Sequence, residues 1–206
     1  DAPASSGHSE LLDPNTVLSP YLKSRAIFHC PADNFQNTLD NNKVNVRSYS
    51  MNSAVGTIFE SSSAEGGTDP RPVGSAVGGG WLPGAYDGTQ TTWLTYGKLS
   101  SFNRPGPANT WVIMDESPYS INDGSLAVSA VAKPGFTVLP DHPAGNHAGA
   151  AGMAFADGHS IVHKWKDPRT YAHSGLPGQG GQSGANPQTP DDPDCFYLAP
   201  ITSAAR

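Results

Sequence analysis

Four large apolar residues, Trp111, Val112, Ile113 and Met114, follow one another between Thr110 and Asp115. A short unbroken run of this kind predicts a central strand buried on both faces. Val44 to Ser50 alternates instead, with Val44, Val46, Ser48 and Ser50 on one side and Asn45, Arg47 and Tyr49 on the other, and predicts a second strand. Asn122-Asp123-Gly124 marks a turn, after which Leu126 to Val131 reads as a returning strand. Helical periodicity is scarce. Residues 9–24 hold the best of it, split by Pro14 and Pro20, with Ser9 and Asn15 placed to cap short turns.

The sharpest local signal is a hairpin. From His147 the chain runs through small and apolar residues to Asp157-Gly158, then returns as His159-Ser-Ile-Val-His163-Lys-Trp165. Asp-Gly favours a two-residue type I′ turn, because both central positions need positive φ. That register sets Ala156 opposite His159, Ala154 opposite Ile161 and Gly152 opposite His163. It gathers His159, Ile161, His163 and Trp165 on one face beside small residues, and sends Met153, Phe155 and Val162 to a buried face.

Composition changes the picture from strands alone to strands carried on loops. The 206 residues include 23 glycines and 19 prolines, and only 15% are charged. The expectation is one α+β domain over residues 1–206, with an antiparallel sheet of short strands, a few short helices and long Gly/Pro-rich loops. A loop-rich insertion is expected at about 61–91 and a flexible loop at about 174–190, with Cys195 to Leu198 docking an apolar patch on the body. Gly78-Gly79-Gly80 is no phosphate loop, since no Gly-Lys-Ser/Thr follows it.

Twelve basic residues against 18 acidic ones give a net charge of −6. No Lys/Arg cluster exists to neutralise phosphates, which argues against nucleic acid as a partner. No apolar run approaches the roughly 18–20 residues of a membrane span, and the polar start Asp1-Ala-Pro-Ala-Ser-Ser-Gly has no signal-peptide pattern. Cys30 and Cys195 are the only cysteines and leave two readings open, one long-range disulfide or two separate buried thiols.

Several groups carry candidate chemistry. Asp115 and Glu116 close the apolar run and Asp123 follows a short excursion, a set of carboxylates suited to calcium. His142, His147, His159 and His163, near Asp141 and Asp157, offer zinc ligands instead. On a regular strand, however, His159 and His163 stand roughly 13 Å apart, too far to share an ion unaided. A hydrolase acting on polysaccharides or esters would draw on Asp115, Glu116, His147, Asp157 and His159. Adjacent Asp115 and Glu116 point to opposite faces of a strand, which weakens them as an acid/base pair. Trp81 and Trp93, inside or next to the Gly-rich insertion, could present an aromatic platform to a sugar or act as local plugs.

One combination resembles a known family. His147 followed by nine residues and then Asp157-Gly158 is similar to the processing-associated motif of prepilin-like proteins. Further landmarks occur in the same order: Leu18-Ser-Pro-Tyr21-Leu22, Phe28-His-Cys30-Pro31-Ala-Asp33, Arg47-Ser-Tyr-Ser-Met51-Asn52, Asn109-Thr-Trp111-Val-Ile-Met-Asp115-Glu116, Ile121-Asn-Asp123-Gly124, Lys164-Trp165-Lys-Asp167-Pro168-Arg169 and Asp191-Asp-Pro193-Asp194. They span about two thirds of the chain and are specific only together. The resemblance implies the globular head of a pilin or type II secretion pseudopilin, a structural subunit of an envelope filament linked to secretion or surface attachment. It implies other pilin-like subunits and the secretion machinery as partners. Calcium in the C-terminal loops would be the metal, and an inner-membrane anchor would lie in a long N-terminal apolar helix. This chain lacks such a helix and reads as the soluble part that follows it.

Overall fold

The computed structural model describes residues 19–22, 24–37, 43–58, 72–171 and 190–206. The expected helical turns at 9–18, the 61–71 part of the insertion and nearly all of the 174–190 loop lie outside these residues. The described chain forms a mixed α+β fold. A small antiparallel pair joins β1 (Gln36–Asn37) to β2 (Lys43–Val44). The main sheet contains β3 (Tyr49–Asn52), β4 (Trp111–Asp115), β5 (Ser125–Leu126), β6 (Ala150–Phe155) and β7 (Ser160–Lys164), in the order β5-β3-β4-β6-β7. One α-helix, α1 (Pro193–Thr202), packs against it.

Three strand expectations need correction. The sheet is mixed, because β5 runs parallel to β3. Leu126 does not begin a returning strand: the next backbone N–H, that of Ala127, is taken by the Asp141 carboxylate at 2.7 Å rather than by a strand neighbour. Val44 to Ser50 is broken between β2 and β3. Arg47 is buried there and bonds Tyr49 O and Ser50 Oγ, so the alternation seen in the sequence is no surface pleat.

The hairpin is present but one residue out of the expected register. Ala154 pairs with Ser160, Met153 with Ile161 and Ala151 with His163. The loop holds three residues, Ala156-Asp157-Gly158, with Gly158 N donating to Phe155 O at 2.9 Å and Gly158 at φ +94°. That is the geometry of a longer hairpin loop with one left-handed glycine, which Asp-Gly also permits. A slip of one residue exchanges the faces. Ile161, Trp165, Met153 and Phe155 therefore share the inner face, with the His159 ring stacked on Phe155, while Val162 points outward.

The inner face carries the main core. Trp111, Met114, Leu126, Leu139, Met153 and Phe155 pack with Trp165 and with Leu198 of α1. A β-bulge at Val112 offsets the pairing of β4 with β6 and sends Val112 toward a second core built on Leu82, Tyr96 and Phe102. Ile113 is exposed, so β4 is covered on one face only and the two-faced burial expected from its sequence does not hold. The described part of the insertion, residues 72–91, belongs to the body of the fold. Leu82 is fully buried, and a Cβ on Gly79 (φ +73°) would meet Leu82 Cδ1 at 2.5 Å. No helix among the described residues is long and apolar enough to cross a membrane.

Candidate metal centre

Cys30, Asp115 and His147 bring a thiol, a carboxylate and an imidazole together from three separate segments. Each is placed by its local backbone. Ser24 caps a 3-10 turn at Arg25–Phe28, and the chain then enters a turn in which Asp33 N donates to Cys30 O at 2.9 Å. Cys30 N donates to Ser48 Oγ at 3.1 Å, and that hydroxyl donates onward to Asp33 Oδ2 at 2.7 Å. Asp115 ends β4 opposite Tyr49, and its Oδ2 accepts the Gly152 N–H at 2.7 Å across the sheet.

His147 stands on a tight loop closed by Gly149 N donating to Gly145 O at 2.8 Å and His147 N donating to Ala150 O at 3.2 Å. Ala148 and Gly149 both adopt positive φ there. The Tyr171 ring lies along the loop so closely that a Cβ on Gly145 would approach its Cδ2 to 2.4 Å, so only glycine fits.

The imidazole uses a single nitrogen for both neighbours. Nε2 lies 3.5 Å from Cys30 Sγ and 3.3 Å from Asp115 Oδ2. A catalytic Cys-His-Asp relay needs the thiol on one ring nitrogen and the carboxylate on the other. Here all three ligand atoms fall within 4.8 Å of one another, the arrangement of donors around a common point. Burial raises the Asp115 pKa; the Gly152 bond and the His147 ring oppose that rise, and Asp33 adds to it. Asp33, Phe35, Tyr119, Asn146 and Tyr171 line a groove of about 330 Å³ that shares the segments holding Cys30 and His147.

The expected calcium set is divided. Asp115 faces His147, whereas Glu116 is fully buried on the opposite side, accepting from Ser50 Oγ, with Arg47 Nη1 3.8 Å away. Asp123 Oδ1 accepts Ser125 N at 2.7 Å, and its carbonyl takes Arg47 Nη2. Arg47 is thus the cation of that corner, and the three acids do not form a ligand group among the described residues.

The histidines scatter as well. His142 Nδ1 donates to Thr170 O at 3.1 Å, and His163 stacks on Tyr197 with its pKa lowered by burial. His159 pairs with Asp157 at 2.6 Å on the exposed hairpin tip. The strand leading to that tip ends at Phe155, three residues and roughly 10 Å beyond Gly152, so the hydrolase set Asp115, Glu116, His147, Asp157 and His159 does not meet in one cleft. Trp81 pairs edge-to-face with Tyr86, and Trp93 packs on the second core with its backbone N–H donating to Gln90 Oε1 at 2.7 Å.

Cys30 and Cys195 form no disulfide. Cys195 lies in the main core, its Sγ 3.9 Å from Val138 O, far from the surroundings of Cys30. Of this trio, the sequence puts Asp115 among the calcium candidates and His147 among the zinc candidates, joins the two only in the hydrolase set, and does not mark Cys30 as a ligand. The only signal for it was Cys30-Pro31-Ala-Asp33, a turn that presents a thiol.

Glu116 carries a pH prediction. Burial, with Asp141 adding to it and Arg47 opposing it, lifts its pKa well above the usual carboxylate range. The folded protein then keeps a proton that the unfolded chain releases, so stability is greatest below the ordinary glutamate pKa and falls as pH rises from there toward the folded value. Glu116→Gln should flatten that fall. Denaturant unfolding at a series of pH values checks it, and an unchanged slope in the variant would refute the assignment. Comparisons with protein-family models, curated proteins and solved structures return no match to this chain.

Proposed function

We propose that this domain is the structural head of a pilin-like filament subunit, whose outer sheet face receives an apolar helix of such a subunit. The observation that carries the reading is that face. Met51 pairs with Ile113, Ile113 with Ala154, and Gly152 with Val162, so these residues share one side of the sheet. Met51 is 42% exposed, Ile113 38% and Val162 68%, with the small Ala154 beside Ile113 and the Asp115 carboxylate lying over Gly152 at the edge of the patch. Exposed apolar side chains grouped on one side of a sheet suit packing of another element and mark an interaction surface. The ordered landmarks around His147, Asp157 and Gly158 support the same family. Envelope location, partner pilin-like subunits and a role in secretion or surface attachment belong to this reading.

In cells producing the protein, Val162→Cys should yield cross-linked multimers under a thiol-reactive bifunctional reagent. Val162→Lys should remove the protein from native assemblies without lowering its melting temperature. A Val162→Cys protein that stays wholly monomeric, or a Val162→Lys protein retained in native assemblies, would count against the filament reading.

A further inference from the structure

We propose that Cys30, Asp115 and His147 bind one zinc ion through Sγ, Oδ2 and Nε2, with a water completing the tetrahedron. The inference is independent of the filament reading. It rests first on distances. Zinc bonds of about 2.3 Å to sulfur, about 2.05 Å to nitrogen and about 2.0 Å to oxygen set tetrahedral edges of about 3.5 Å for S···N and about 3.3 Å for N···O. The structure has 3.5 Å between Sγ and Nε2 and 3.3 Å between Nε2 and Oδ2.

Hydrogen bonding alone serves this trio poorly. If Nε2 carries a proton it serves the carboxylate, and the thiol proton then has no acceptor in the ring. If Nε2 is bare it accepts from the thiol and faces the Asp115 oxygen as one lone pair facing another. One divalent cation at the common point satisfies all three donors at once, with the thiol proton released to solvent on binding.

The donor types select the metal. A thiolate beside an imidazole favours zinc over the hard cations calcium and magnesium, which take oxygen ligands. The supporting bonds are those of an oriented ligand shell: Gly152 N fixes the bound oxygen of Asp115, Ser48 Oγ fixes the backbone of Cys30, and the Gly145–Gly149 loop fixes His147. The His147 side chain is 37% exposed, so the fourth position opens to water. Cys30 and His147 are 117 residues apart in sequence, so a bound ion would tie the Cys30 turn to the end of β4 and the loop before β6.

The test uses the whole chain, stripped with a chelator and titrated with zinc by calorimetry and with cobalt by absorption. One equivalent should bind, the melting temperature should rise with zinc, and cobalt should give the intense thiolate charge-transfer band and tetrahedral visible bands. Cys30→Ser should lose the charge-transfer band and His147→Gln should weaken binding at least tenfold, while Cys195→Ser should leave both intact. Absence of the band in the unmodified protein would overturn the proposal without any variant having to fold. So would octahedral cobalt spectra, or a band that survives Cys30→Ser and disappears in Cys195→Ser.

Discussion

Asp194→Ala should cost roughly 3–5 kcal/mol of folding stability, because it removes a fully buried carboxylate that accepts from two backbone N–H groups and a buried hydroxyl. Asp194 accepts from Lys166 N at 2.9 Å, from Asp167 N at 2.9 Å and from Thr170 Oγ1 at 2.8 Å. It occupies the first turn of α1, capped by Asp192, whose Oδ1 accepts Asp194 N at 2.8 Å. One side chain therefore seals the helix start to the segment that leaves β7.

The effect should travel to the metal centre. Thr170, held by Asp194, precedes Tyr171, and the Tyr171 ring packs on Gly145 and Gly149 of the His147 loop. Chemical unfolding measures the stability loss, and Asp194→Asn should recover part of it by keeping one acceptor oxygen. Zinc affinity should fall along with stability in Asp194→Ala. A loss below about 1 kcal/mol would mean that water replaces the carboxylate freely, and the lock would not exist.

The sequence disclosed this architecture unevenly, and the reasons are physical. The hairpin and β4 were legible because Asp157-Gly158 and the Trp111–Met114 run are local signals. The hairpin register was not, since Asp-Gly serves both two- and three-residue loops and one residue decides which face His163 and Val162 take. A run of apolar residues also cannot tell two covered faces from one, and Ile113 shows that an uncovered apolar face looks the same in sequence.

α1 was concealed by Pro200 inside a short apolar stretch, although Asp192-Pro193 is a recognisable cap followed by proline at the first helical position. Arg47 read as one residue of an alternating strand beside Asn45 and Tyr49, whereas it turns in to meet Glu116 and the Asp123 carbonyl. The candidate site was half visible. Asp115 and His147 stand out as chemistry-bearing residues, but their convergence with Cys30 depends on loop closure over long sequence separations, which no local pattern encodes.

Trp111→Ala should be the other severe substitution, at roughly 3–5 kcal/mol, the range for removing a large aromatic side chain from a packed interior. For a chain of this size that corresponds to a fall of roughly 6–20 °C in melting temperature. Trp111 is fully buried where β4 meets α1. Its Nε1 donates to Thr202 Oγ1 at 2.9 Å, and Thr202 Oγ1 donates to Leu198 O at 2.8 Å. Asn52 Nδ2 donates to Trp111 O at 2.9 Å and to Thr202 O at 3.0 Å, so β3, β4 and the helix end share one network.

Packing and hydrogen bonding make separable contributions here. Trp111→Phe keeps most of the apolar volume but removes the indole N–H, and should cost about 1–2 kcal/mol for the lost bond and the partial void. Combining it with Thr202→Val removes both polar partners, and the pair should cost less than the sum of the single changes. Strict additivity in that cycle would show that the indole N–H and the Thr202 hydroxyl do not act together. A Trp111→Ala loss under about 2 kcal/mol would show that the inner face tolerates a cavity, and that packing under β4 does not set the position of the exposed Ile113 face above it.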